Sequence, residues 1–258
     1  MMTKSSARPF EEYSKRYDHI RITREDGIIE LCVHTNGDSM KWGGPPHEEL
    51  GFCFGDVADD PDNKVVILTG AGDVFCTDTD VSSFGAFTPR NWAHIHQESK
   101  RLLNNLMSIE VPVIGAINGP AHIHAELLVM SNIVIASDTA TLQDGVHFTL
   151  DVVPGDGVHV VWPMLLGPNR GSYFLLTGEI LDAKKALELG VVNEVVPRDQ
   201  LMPRAWELAR QIAKNSPLSR RYSRVILTHE MKRQLHEQLS HGLAVEGLGL
   251  FDFTPTTT

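Results

Sequence analysis

The sequence predicts an α/β fold: parallel strand pairs joined by crossover helices, then an almost entirely helical C-terminal region. Three observations carry this. Strand-type and helix-type segments alternate through roughly the first two thirds of the chain. One strand segment, KVVILTG at 64–70, is a continuous apolar run rich in β-branched residues, the pattern of a strand buried on both faces. After about residue 170, apolar residues recur almost entirely at helical spacing.

Taken in order, IRITREDGIIELCVHT reads as two strands joined at Glu25-Asp26-Gly27, a hairpin signal. KVVILTG follows as the buried strand. HQESKRLLNNLMSIE (96–110) places Leu102, Leu103, Leu106 and Ile109 at helical spacing. VPVIGAING (111–119) returns to strand character, and NIVIAS (132–137) follows after a short helix. NRGSYFLLTG, DAKKALELG and DQLMPRAWELARQIAKN each carry an apolar stripe, with Gly178 and Gly190 as stop signals. The last helix, about 229–252, puts Leu235, Leu239 and Leu243 on one face, and Glu246 falls on the same stripe. A carboxylate there needs a partner, whether an interface salt bridge or a functional group.

The composition, 42% hydrophobic and 22% charged, is that of a globular protein with a sizeable core. A net charge of −10 argues against nucleic acid or an anionic membrane as partner. Arg220, Arg221 and Arg224 read as a solvated helix face. Cys32, Cys53 and Cys76 sit among apolar neighbours and read as reduced, buried thiols of a cytoplasmic protein. No CxxC pair suggests zinc, and LTGAGDVF lacks the third glycine of a dinucleotide fingerprint. The N-terminus has no apolar core of a secretory signal, and no run is long enough to span a membrane. Roughly the first eight residues and the TPTTT tail are expected to be disordered.

The segment QDGVHFTLDVVPGDG (143–157) carries the chemistry. Asp156 lies nine positions after His147, and a Pro-Gly turn can fold it back. A carboxylate bonded to one imidazole nitrogen fixes the tautomer and leaves the other nitrogen to take a proton from water. The same residues also read as an N-cap, Asp156, for the helix GVHVVWPMLLG, with His147 as a packed polar residue. His159 competes for the same carboxylate. His122 and His124 form an H-x-H pair without an obvious third metal ligand, and His47, beside Glu48 and Glu49, reads by itself as a solvated helix start.

From about Ile20 to Leu250 the chain resembles the crotonase (enoyl-CoA hydratase/isomerase) superfamily. The resemblance rests on KVVILTGAGDVFCTDTD, VPVIGAINGPAHIHAELLVMSNIVIAS, VVPGDG, LLTGEILDAKKALELGVVNEVVP and LARQIAKNSP, in that order. It implies a crotonase-like spiral of ββα units with a C-terminal helical region, usually assembled as trimers or dimers of trimers. The implied organisation is an N-terminal arm (1–18), the ββα core (19–197), a helical oligomerisation region (198–252) and a disordered tail (253–258). The departures are specific. His124 stands where the family has an oxyanion-hole glycine, and Thr77-Asp78-Thr79-Asp80 replaces the first oxyanion turn. His147 stands where hydratases carry one catalytic glutamate, and Leu127 stands, counted without gaps, at the other. Together these crowd the path of a CoA arm.

This set resembles the 6-oxocamphor-hydrolase-type β-diketone hydrolases, whose residues map onto Trp42, His47, Phe84, His124, His147, Asp156 and Glu246. The resemblance implies a hydrolase that cleaves a carbon–carbon bond of a cyclic or bicyclic β-diketone to a keto acid, with water as nucleophile and without CoA, metal or other cofactor. In this scheme His147 and Asp156 activate water, and His124 and Trp42 hydrogen-bond a ketone oxygen. Glu246 and His47 form a second acid–base pair, while Phe84 and Thr79 shape the pocket. An acyl-CoA hydratase or hydrolase, and a non-catalytic scaffold, are the competing expectations.

Overall fold

The computed structural model describes residues 7–252, so the expected tail at 253–258 and the first six residues of the arm lie outside it. Arg8, expected to be disordered, is held in an ion pair with Asp56 (Nη1–Oδ1 2.6 Å).

A short helix α1 (Phe10–Tyr13) precedes β1 (Ile20–Glu25) and β2 (Ile28–Val33). These two form the expected antiparallel hairpin, with Glu25 opposite Ile28. Both turn residues, Asp26 (φ 52°) and Gly27 (φ 81°), occupy the left-handed region that a two-residue turn matching the strand twist requires. The chain continues through β3 (Met40–Gly43), α2 (Gly44–Asp59), β4 (Val65–Gly70), β5 (Cys76–Asp80) and α3 (Pro89–Ser108). Next come β6 (Val113–Ile117), α4 (Glu126–Val129), β7 (Ile133–Ser137) and β8 (Thr141–Leu142). Three helices follow: α5 (Gly145–Thr149), α6 (Val158–Leu166) and α7 (Pro168–Thr177). After β9 (Leu181–Asp182), α8 (Ala183–Glu188) and β10 (Glu194–Val196), the chain ends in α9 (Leu201–Ala213), α10 (Pro217–Leu227) and α11 (His229–Asp252). The helix expected from residue 96 begins a full two turns earlier, because Thr88 caps it and Pro89 starts its first turn.

The main sheet has the order β1-β2-β4-β6-β7-β10. Every pairing after the hairpin is parallel. A parallel neighbour can be reached only by a crossover, and each crossover here lays down a second strand before its helix. Those second strands form their own row: β3 pairs with β5, Ala121 bridges Cys76 to Leu142, and β8 pairs with β9. Each turn of chain therefore gives one strand to each row and then a helix, which is the crotonase-like spiral of ββα units. The outer face of the main sheet is closed by Leu201, Ala205 and Ala209 of α9, spaced one helical turn apart, over Ile28, Ile67, Ile114 and Ile135.

The arginine cluster departs from expectation. Arg220 and Arg224 are buried, at 7% and 1% exposure. Arg224 donates to Ile109 O (2.6 Å), Leu106 O (3.2 Å) and Asn132 Oδ1 (2.6 Å). Two of these acceptors are backbone carbonyls at the end of α3, so the guanidinium ties α10 to a helix C-terminus. Arg221 alone faces solvent, paired with Glu110. The sequence offered no sign of these acceptors, which lie more than ninety residues away. Cys32, Cys53 and Cys76 are free and buried. Among the described residues, no helix is long and apolar enough to cross a membrane.

Candidate active site

A cavity of about 440 Å³ opens between the second strand row, α3 and α11. Its lining includes Trp42, His47, Thr79, Phe84, His124, His147, Asp156 and Glu246, all the sequence-derived candidates. Most of the remaining wall is apolar: Phe87, Trp92, Ile95, Leu102, Leu103, Val146, Leu150, Val152 and Leu250.

Local structure explains how each polar group arrives. Trp42 on β3 lies opposite Thr79 on β5 in a parallel register, so one strand pair delivers both. Asp80 accepts from Ser83 N and starts the 3-10 turn that carries Phe84. His47 sits in the first turn of α2, buried at 4% exposure rather than solvated. His124 has φ 52°, the left-handed conformation a glycine adopts freely and an imidazole-bearing residue adopts at a cost of about 1–2 kcal/mol. The position keeps glycine's backbone while adding a side chain.

Asp156 reaches the cavity from the Pro-Gly turn before α6. Gly155 and Gly242 of α11 are pressed together: a Cβ on Gly155 would stand 2.2 Å from Gly242 O, and one on Gly242 would stand 2.3 Å from Gly155 O. Only a side-chain-free pair permits that approach, and it lays Glu246, one helical turn on, beside Asp156. As its stripe predicted, α11 buries Leu235, Leu239 and Leu243, with Glu246 at 7% exposure. The N-cap of α6 is Gly157 (φ 115°), without a side-chain cap, so Asp156 is not the expected cap residue. His159 packs against Gly242 and stands outside ion-pair distance of Asp156.

The carboxylate that fixes the His147 tautomer is Asp144, not Asp156. Asp144 Oδ1 lies 2.7 Å from His147 Nδ1, one helical turn before it. Nε2 then faces two further carboxylates, Asp156 Oδ1 at 3.7 Å and Glu246 Oε1 at 3.8 Å. The expected Glu246–His47 pair is not made. His47 instead meets Glu98 Oε2 through Nδ1 (3.3 Å) and Ser99 Oγ through Nε2 (3.1 Å), both on α3. The α2 and α3 helices run side by side in the same direction, with Gly51 against Leu102, and this register sets His47 against Glu98. His124 Nδ1 bonds Glu126 Oε1 at 2.6 Å, with Asp156 Oδ2 at 3.8 Å, leaving Nε2 for a ligand. The Trp42 ring stacks on His124 at 3.8 Å between centroids. His122 turns away and pairs with Thr141 Oγ1 (2.8 Å), so the H-x-H pair is divided.

The electrostatics follow from burial and partners. Burial alone would pull His147 down, but Asp156, Asp144 and Glu246 together hold it well above its ordinary value. Burial pushes the Asp156 carboxyl up, and the facing histidines more than reverse this. Burial pushes Glu246 up to about 7. His124 is raised because Glu126 and Asp156 outweigh its burial, whereas Glu126 is raised by burial itself. His47 is lowered by burial, which Glu98 offsets only in part. Three buried carboxylate oxygens of this cluster, Asp144 Oδ2, Asp156 Oδ1 and Glu246 Oε2, have no hydrogen-bond partner.

The donor set bears on cations as well. His124, Glu126 and Asp156, and likewise His147, Asp156 and Glu246, each bring one ligand atom apiece within 4.8 Å of one another. His122 belongs to neither group, and Asp156, distant in sequence from His124, belongs to both. Sequence reasoning missed Asp144, Glu126, Glu98 and Ser99. Asp144 precedes His147 by three residues in a short helical segment, a spacing that was available as a signal. Glu98 and Ser99 carried none.

Residues 46–247 match the enoyl-CoA hydratase/isomerase family. Curated relatives include carnitinyl-CoA dehydratase of Citrobacter koseri, 32% identical over 78% of this chain and 77% of that protein. The Escherichia coli K12 carnitinyl-CoA dehydratase is 31% identical over the same shares. Among solved structures, a β-diketone hydrolase from Anabaena sp. PCC 7120, bound to (S)-3-oxocyclohexyl acetic acid, is 45% identical, with a TM-score of 0.92 over 95% of this chain and 98% of that one. An enoyl-CoA hydratase/isomerase from Mycobacterium paratuberculosis shares the fold at 22% identity, with a TM-score of 0.83 over 90% of this chain and 93% of that one.

Proposed function

The chain belongs to the enoyl-CoA hydratase/isomerase (crotonase) family, and within it we propose a hydrolase that opens cyclic or bicyclic β-diketones to keto acids without CoA. The observation that carries this reading is the cluster of His147, Asp156 and Glu246 on one wall of the cavity, facing an imidazole, His124, where the family uses a backbone amide. A β-diketone has two ketone oxygens to be held and one water to be activated. The cavity offers two donors, His124 and Trp42, for the attacked ketone oxygen and a base cluster for the water. The 45% identity to a β-diketone hydrolase crystallised with a keto acid supports the same reading.

In this mechanism the His147–Asp156–Glu246 unit titrates as one, and its unprotonated form takes a proton from water as the oxygen attacks one carbonyl carbon. His124 Nε2–H and the Trp42 indole N–H stabilise the oxygen that becomes negative. The tetrahedral species collapses, the bond to the carbon between the ketones breaks, and its electron pair leaves as an enolate. The cluster returns its proton to that carbon. Asp144 holds the His147 ring in place throughout. Phe84, Thr79 and the apolar wall fit a carbocyclic ring.

The test is loss of enol absorbance from a panel of cyclic β-diketones, with keto acid formed. A protein that leaves the panel untouched yet turns over acyl-CoA thioesters, the substrate type named in its curated relatives, overturns the proposal in favour of a CoA enzyme. We also expect a homotrimer or a dimer of trimers. Leu176, Ile226, Leu227 and Leu248 are large apolar side chains exposed by 71% or more, and sedimentation would report the assembly that covers them.

A further inference from the structure

We propose that His47, Glu98 and His94 form a proton path from the catalytic cavity to solvent. This rests on the hydrolase reading, and the stoichiometry of that reaction supplies the proton the path would carry. Water gives one proton to the cluster as its oxygen bonds to the acyl carbon. The broken carbon–carbon bond leaves its electron pair on the enolate, which takes that proton on carbon. The new carboxylic acid still carries water's second proton. At neutral pH the acid ionises, so one proton per turnover must leave. Bound substrate or product occupies the cavity itself, whose lining includes the partly exposed Phe87, Leu150 and Leu250, while this happens.

A second cavity of about 320 Å³ lies behind the first, and Phe84 and Ile95 form part of the wall of both. His47 and Ser99 line the catalytic side, whereas Glu98 and His94 line the far side. The path crosses this partition through a different atom at each step. Ser99 Oγ is 3.1 Å from His47 Nε2. His47 Nδ1 is 3.3 Å from Glu98 Oε2. Glu98 Oε1 is 3.0 Å from His94 Nε2, and the His94 side chain is 63% exposed. A proton can enter the His47 ring at Nε2 and leave at Nδ1, and it can arrive at one Glu98 oxygen and leave from the other.

The Ser99 hydroxyl has the flexibility the path requires. It donates to Ile95 O at 3.0 Å, so its lone pair accepts from a protonated Nε2. Rotated the other way, it donates to a bare Nε2. His47 therefore has a partner in either protonation state, one that a fixed donor could not provide. The remaining neighbours suit transit rather than trapping. Trp42 and Phe84 present ring contacts only, at 5.6 Å each. His47 is held in its neutral form, ready to receive a proton, by burial and by the nearby charge of His124. Glu98 stays ionised because His47, His94 and Arg101 outweigh its burial. His94 and Glu98 are an i,i+4 pair on α3, so one helix fixes the outer half of the path.

The test is steady-state hydrolysis of a cyclic β-diketone in weak buffer, with and without added imidazole, for wild type, Glu98→Gln and His94→Gln. Glu98→Gln keeps the shape and one acceptor oxygen but puts an NH2 donor in place of the other, so it cannot carry a proton from one oxygen to the other. The expected result is kcat about fivefold lower in weak buffer, kcat/KM nearly unchanged, and recovery as imidazole rises. His94→Gln shows the same imidazole dependence with a smaller loss. Because His94 is exposed, that variant decides the matter even if Glu98→Gln fails to fold. Rates independent of imidazole in both variants, or a loss that imidazole does not restore, overturn the path. A wild-type protein inert on diketones overturns the underlying hydrolase reading and the path with it.

Discussion

Two buried histidines face the same cavity, and they are tuned in opposite directions. His147 and His47 are about equally hidden from solvent, and each has a carboxylate on Nδ1. His147 meets three carboxylates and is held well above its ordinary value. His47 meets one, along with the charge of nearby His124, and is held below it. Burial is a nearly constant penalty on the charged imidazole, so the number of facing carboxylates decides the sign. In the proposed mechanism the first environment stores a proton at the reaction centre, and the second passes one on.

Replacing each histidine tests this contrast most strongly. His147→Ala is expected to lower kcat by about 10³, and His47→Ala by roughly tenfold or less, in diketone turnover at saturating substrate. Equal losses would erase the distinction between storing and passing a proton. Glu246→Gln comes next. With Glu246 pushed up to about 7, activity should rise with pH through that value in the wild type, and the variant should lose this limb along with about 10² in rate. Its stability should move the other way. A raised carboxyl keeps its proton longer in the folded state, so it contributes stability at low pH that is lost as pH climbs from the ordinary carboxylate range through about 7. Thermal melts across that window should show Glu246→Gln gaining on the wild type by about 1–3 kcal/mol.

Asp144→Asn leaves all three cavity-facing groups in place but frees the His147 ring. It is expected to cost roughly tenfold to a hundredfold in kcat with little change in KM. A wild-type rate would mean that Asp156 and Glu246 orient His147 unaided. The smallest effect belongs to His47. Because its folded form resists protonation, the unfolded state gains the proton as pH falls below about 6.5, and the protein loses stability there. His147 contributes with the opposite sign in the window above about 6.5, where its stabilisation is lost as pH rises. In thermal melts His47→Gln should gain on the wild type as pH falls below about 6.5, whereas His147→Gln should gain on it as pH rises above that value.

Much of the fold was legible because its signals are periodic and local. The hairpin at Asp26-Gly27, the buried strand at 64–70 and the Leu235–Leu239–Leu243 stripe each follow from spacing that a single element imposes. The spacing shows the helix at 89–108 only from residue 96 because its first two turns, PRNWAHI, owe their placement to Thr88 and to contacts of Trp92 with α11, including Trp92 Nε1 to Leu243 O at 2.9 Å. The buried arginines were misread for the same kind of reason: what removes Arg224 from water is a set of acceptors on α3 and the loop before β7.

The identities of the cavity's polar residues were likewise present in the sequence, through their departures from the resembled family at positions 124 and 147. Their partners were not. Asp144, rather than Asp156, holds His147, and Glu98, rather than Glu246, holds His47. Which residue types line the cavity is a local property of strand, turn and helix. Which carboxylate meets which imidazole depends on how α11 closes over the Pro-Gly turn through Gly155 and Gly242, and on how α2 lies along α3. Hydrogen bonds and ion pairs reach only a few ångströms, so a pairing between distant residues exists only once packing has brought them together. The sequence by itself determined the groups available to the chemistry, and the tertiary structure decided how they divide the work.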